Sequence, residues 1–313
     1  MQGRKIRFTT TFGARHTTTA AFAIFALLVA CAPASFAQRS AQAAFSSPEE
    51  ASRALFTAVQ DDNDEAMMEI LGCGKELVSL EDKSQDKLER EEFVIKYQEM
   101  HRLVREPDHT TVLYIGAENW PFPVPLVSRK GGWYFDSNTG MREVLFRRIG
   151  ENEEAAIEAS HLLVLAEERY RATLHSDDST SHYALRFVSD QNTQDGLYSD
   201  EGSPIPPFLA NAGVGNGVPQ ENKQAPYAGY YFRILTQQGK NAPGGTQNYI
   251  SNGKLTGGFA FVAYPAEYGQ SGVMTFIVNQ NNVVYQKDLG PRTPNVVQTM
   301  TRYNPGPGWR RVE

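Results

Sequence analysis

The stretch from Gly258 to Lys287 constrains this chain more than any other. It reads GFAFVAYPAEYGQSGVMTFIVNQNNVVYQK, with apolar and polar residues nearly alternating and turn residues between the runs. A period of two sends successive side chains to opposite faces of a sheet. Strands are therefore expected over 258–264, 273–279 and 283–287, with Gln280-Asn281-Asn282 as the last hairpin turn. Tyr230 to Leu235 adds a fourth strand, and 236–257 reads as a loop or loose hairpin. Phe276 and Val278 share a face, so one side of this sheet needs a cover. The segment 153–174 offers one, because Ala155, Ala159, Leu162, Leu163, Ala166 and Tyr170 line one side of a helix there.

The N-terminal half has a different character. Ser47 can cap a helix that starts at Pro48, and Glu49 and Glu50 complement its dipole. Asp61-Asp62-Asn63-Asp64 ends that helix, and Glu65 to Leu71 starts a second. A third is expected over 91–104, with Phe93, Tyr97, Met100 and Leu103 on one stripe. Strand cores come next at 111–116, 123–129 and 133–136, with Lys130-Gly131-Gly132 as a hairpin turn. Gly150 reads as a helix break and Asn152 as the cap of the next helix. The domain plan is a flexible lead-in at 38–45, an α+β domain at 46–149 and a helix-plus-antiparallel-sheet domain at 150–313. Within the latter, 175–225 is an irregular connection, mobile or held by packing.

The first 37 residues carry Arg4, Lys5, Arg7 and Arg15 and no acid, followed by the apolar run Ala20 to Ala32. This is the build of a secretory signal, with Ser35-Phe36-Ala37 as the cleavage site. The apolar run is shorter than the roughly 20 residues that span a bilayer. Leu28-Val29-Ala30-Cys31 also fits a lipoprotein box, in which Cys31 becomes the lipidated first residue. The expected location is periplasmic or secreted, with an outer-membrane lipoprotein as the alternative. The mature chain holds 26 basic and 36 acidic residues, a balance of −10. Such a charge disfavours nucleic acid as a partner. With Cys73 as its one cysteine, the mature chain has no internal disulfide. That thiol reads as a buried filler before it reads as a nucleophile.

Motifs of catalysis are missing: there is no H-E-x-x-H, C-x-x-C, Walker loop or G-x-S-x-G. GVGNGVP at Gly213 lacks the spacing of a phosphate loop. The mature histidines His101, His109, His161, His175 and His182 include no pair at helical ligand spacing. No cofactor is expected, with calcium as a possibility. Asp177, Asp178, Asp200 and Glu201, with Asp190 and Asp195, place oxygen donors of the kind calcium takes in one irregular region. His175 and His182 flank the first two. The aromatic residues Tyr114, Trp120, Phe122, Trp133 and Tyr134 can line a pocket in the first domain, with Glu118 and His101 as polar contacts. Trp309 reads as an anchor for the tail.

The phrases YFDSNTGMREVLFRRIGENE, YYFRILTQQGKNAPGGTQNYISNGKLTGGFAFVAYPAEYGQSGVMTFIVNQNNVVYQKDLG and TRYNPGPGWRRV resemble the uncharacterised bacterial envelope family catalogued as domain of unknown function 2950. The resemblance covers nearly the whole mature chain and implies a compartment and an architecture, with no activity attached. Helices before a small antiparallel sheet are similar in order to the nuclear-transport-factor-2-like fold. The long helix and later meander look like a pilin or pseudopilin domain. The expected fold class is α+β. The expected function is a non-enzymatic binding or assembly module whose partner is an envelope protein or cell-wall component. The alternative is a small-molecule binder or enzyme that uses the first-domain pocket.

Overall fold

The computed structural model describes residues 42–72, 78, 83–173, 181–190, 195–199, 202–215 and 224–312. The signal segment, Cys31, Cys73, His175, Asp177, Asp178, Asp200 and Glu201 lie outside the described residues. The fold is α+β, as the order of periodicities implies.

Among the described residues three helices come first: α1 (Pro48–Gln60), α2 (Asp64–Leu71) and α3 (Lys83–Glu99). Ser47 caps α1 by accepting the Glu50 N–H, and Asn63 caps α2 by accepting that of Ala66. Gly72 closes α2 at φ 66°, a left-handed turn that glycine adopts without a Cβ penalty. The strands are β1 (His101–Arg105), β2 (Thr111–Ile115), β3 (Trp120–Pro121), β4 (Leu126–Arg129) and β5 (Gly132–Phe135). The sheet order is β1-β2-β4-β5, all antiparallel, with β3 also on β2. One face buries Leu113, Ile115, Leu126 and Phe135 under the helices beside Ala51, Leu55 and Met67. Each such large side chain contributes about 1.5–3 kcal/mol.

The third helix ends five residues earlier than its apolar stripe suggests. His101 to Arg105 pairs instead with Thr111–Ile115, and a turn at 106–110 closes the hairpin. Leu103 satisfies either period, so cross-strand pairing decides. The expected strand at 123–129 is shorter, with Trp120–Pro121 pairing separately. The expected lead-in is anchored from Gln42 onward. Its amide donates to the carbonyls of Ile70, Leu71 and Phe135, and Phe45 exchanges both backbone hydrogen bonds with Trp133.

A single helix, α4 (Ser137–Ala172), runs through Gly150 without a break. Glycine inside a helix costs about 1 kcal/mol. Here both flanks are held. Gly140 packs on Val124, a first-core residue in the loop before β4, and Ala156, Ala159, Leu163, Ala166 and Tyr170 enter a second core. Asn152 caps nothing; its amide donates to the Ser271 carbonyl. The expected boundary at 149/150 therefore falls inside α4.

Beyond α4 come β6 (Arg186–Val188), β7 (Gly196–Tyr198) and α5 (Pro207–Asn211). The described part of the irregular connection is held by packing: Tyr183, Ala184, Phe187, Leu197 and Leu209 are buried in the second core. The second sheet begins with β8 (Tyr230–Leu235). Short pieces come next: β9 (Gln237–Gln238), β10 (Gln247–Asn248), β11 (Ile250–Ser251) and β12 (Lys254–Leu255). The main strands resume with β13 (Ala260–Pro265), β14 (Met274–Asn279) and β15 (Tyr285–Asp288). The chain closes with α6 (Thr293–Thr299), β16 (Arg302–Tyr303) and β17 (Arg310–Arg311). The five-stranded order is β17-β15-β14-β13-β8. Phe276 and Val278 are buried on the face that α4 contacts, as the alternation required. The opposite face carries Val262 and Ile277 under α6 and β16.

Candidate functional site

The residues expected to line a first-domain pocket occupy one end of its sheet, yet most are engaged with structural partners. The register sets His101 opposite Ile115 and Ile115 opposite Trp120, so the three form one cross-strand row. The His101 ring lies flat on Tyr97, with centroids 4.0 Å apart, and its Nδ1 is 2.9 Å from the Tyr97 carbonyl. Glu118, in the turn after β2, pairs with the Lys96 ammonium at 2.5 Å. That hydrogen bond holds the Glu118 carboxyl below its ordinary range and raises Lys96. The Arg147 guanidinium sits 4.9 Å from the centre of the Trp120 ring and also donates to the Pro121 carbonyl. Tyr114 projects from the face of β2 that does not carry Leu113 and Ile115. Its hydroxyl donates to Glu106 at 3.0 Å, which pushes the phenol up, and Arg102 lies over its ring.

Trp133 differs from this set. It is half-buried against the first core and lines a cleft of about 480 Å³ at the β1–β2 turn. Arg105, Asp108, His109, Thr110, Val127 and Ser128 form the rest of its wall. Asp108 accepts both the backbone N–H and the hydroxyl of Thr110, which lowers its pKa and fixes the turn. His109 holds φ at 70°, so the loop backbone has a set shape. Arg105 and Ser128 are exposed at the mouth. An aromatic wall with a cation, hydroxyls and a fixed loop suits recognition of a polar ligand.

Of the acidic set proposed for calcium, Asp190 and Asp195 are described. Both pair with Arg186: Asp190 directly, and Asp195 to Nε at 3.1 Å. Among the described residues no group of three or more His, Cys, Asp or Glu is placed to hold a metal ion.

Among the buried polar groups that sequence reasoning missed are Glu167 and Arg233. Glu167 of α4 is fully buried; Oε2 accepts the Ala184 N–H at 2.8 Å, and Oε1 has no partner. Burial drives this carboxyl well above its ordinary value. Arg233 of β8 donates to the carbonyls of Val297, Gln298 and Met300, closing the C-terminus of α6. A lone arginine inside the apolar run YYFRIL is a sequence signal that points to such a role. A glutamate in the helical run LAEERY gives none.

Helices on an antiparallel sheet, a shared long helix and a second antiparallel sheet define the class of α+β protein. The chain belongs to the family described as "Protein of unknown function (DUF2950)", which matches residues 42–312. No curated protein and no solved structure matches it. Among the described residues no helix is long and apolar enough to cross a membrane.

Proposed function

We propose that the chain is exported and works in the bacterial envelope, periplasmic or secreted, as a non-enzymatic binding module for a cell-wall component or envelope protein. The basic start and the short apolar run ending near Ala37 support export. The Trp133 cleft carries the binding role. It joins an aromatic wall to exposed Arg105 and Ser128 on a loop fixed by Asp108. The polar groups nearest the competing pocket serve structure: Glu118 holds Lys96, and His101 stacks on Tyr97.

The test is co-sedimentation with insoluble cell-wall sacculi, comparing the wild type with Arg105→Gln and Ser128→Ala. Both positions are exposed, so folding is expected to be unchanged and binding to fall several-fold. Equal retention of all three proteins would remove the cleft from the proposal. The enzyme reading has one observation in its favour, the His101–Ile115–Trp120 row. It requires turnover of a small molecule that His101→Ala abolishes. A calcium role for Asp177, Asp178, Asp200 and Glu201 requires a chelator-reversible rise in melting temperature.

A further inference from the structure

We propose that a second cleft, beneath the C-terminal tail, binds an acidic saccharide. It has a volume of about 340 Å³, with Ile277 of β14 as an apolar floor and Met300, Thr301, Arg302, Asn304 and Trp309 around it. This lies at the small end of ligand sites and suits about one or two sugar rings. The inference does not depend on the Trp133 cleft. The two stand on different sheets.

Each wall residue has a defined capacity. Trp309 packs partly buried against the second core, so its indole is held in place while still lining the cleft. A flat indole matches the C–H face of a pyranose ring. Arg302 uses Nε on Gln237 at 2.9 Å, which leaves its two terminal nitrogens as donors. Asn304 uses Oδ1 on the Asn241 N–H at 3.0 Å, which leaves its amide NH₂. Thr299, also at the wall, donates to the Val296 carbonyl and keeps its lone pairs. A guanidinium fork with an adjacent amide and hydroxyl fits a carboxylate on a ring that also carries hydroxyls.

The charge distribution selects the acidic member of that class. From Tyr285 to Val312 the chain has Lys287, Arg292, Arg302, Arg310 and Arg311 against Asp288 alone, although its overall balance is −6. Arg302, Arg310 and Arg311 are exposed. A cationic segment around the cleft's own Arg302, on an anionic protein, attracts anions locally while the rest of the surface repels them.

Isothermal titration of the full chain with a galacturonate trimer, and with the neutral galactose trimer, tests this. The acidic trimer should bind at least tenfold more tightly, and more weakly as salt rises. Arg302→Gln should remove the difference between the two probes. Trp309→Ala should abolish binding of both. Trp309→Phe, which keeps a ring and the packing, should retain weakened binding and so guards against a folding defect. No binding of the acidic trimer to the wild type, or equal binding to Arg302→Gln, overturns the proposal. So does preference for vesicles of anionic phospholipid over the trimer. Loss of binding in Arg105→Gln with Arg302→Gln unaffected would move the ligand to the Trp133 cleft. That result overturns this site and leaves the proposed function standing.

Discussion

Glu167→Gln should flatten the pH dependence of stability. The native carboxyl is fully buried, with one oxygen on the Ala184 N–H and the other unpartnered. Burial raises its pKa well above 4.5, and Glu168 adds to the shift. The sign comes from proton linkage. Above pH 4.5 the unfolded chain releases this proton while the native chain keeps it. Stability is then fully present below 4.5 and is lost as pH climbs toward the folded value. The slope is about 1.4 kcal/mol per pH unit for one group. Between pH 4.5 and pH 7 that slope caps the loss at about 3 kcal/mol. Glutamine keeps the acceptor for Ala184 and mimics the neutral acid, at a cost of about 1 kcal/mol for its second unpaired N–H. The variant should thus be slightly less stable than the wild type at pH 4.5 and more stable at pH 7. Urea unfolding followed by circular dichroism at pH 5, 6 and 7 measures the difference, and titrations shared by both proteins cancel. A difference constant across that range would refute the buried neutral carboxyl.

Arg233→Met should cost about 2–3 kcal/mol, because three carbonyls at the end of α6 lose a charged donor. Arg233→Lys should recover only part of that, since an ammonium is a point charge and not a fork; urea midpoints give both values. Gly272→Ala should cost about 1–3 kcal/mol, as the new methyl runs into the buried Tyr230 ring, whose hydroxyl is fixed on the Met274 carbonyl. Thermal unfolding reads this, and Gly150→Ala, where nothing stands near, should be neutral or stabilising. N-terminal sequencing of the exported protein should begin at Gln38. Lipid-modified Cys31 at the terminus would instead establish the lipoprotein alternative.

The α+β order and most strands were legible because period-two alternation is strong from Tyr230 to Lys287, and Phe276 and Val278 named the covered face. The His101–Arg105 strand was not legible. Leu103 also completes a helical stripe, and the pairing that overrides it lies ten residues downstream. The unbroken helix through Gly150 was hidden for a related reason: a local glycine penalty is small beside two packed flanks. Of the site residues, Trp133 was visible as an aromatic in a sheet. That Arg105 and Ser128 stand beside it depends on hairpin register, which spacing alone does not give. Glu167 was invisible, because its burial comes from Tyr183 and Ala184 folding back on α4.

The central claim, binding without turnover, is most directly tested by one thermal-shift experiment against soluble cell-wall fragments, with mass spectrometry of the fragments afterwards. The account predicts a raised midpoint, corresponding to about 2.7 kcal/mol at a hundredfold excess over Kd. It also predicts fragments of unchanged mass and a smaller shift for Arg105→Gln. A fragment cleaved or modified during incubation would contradict it, as would the absence of any shift.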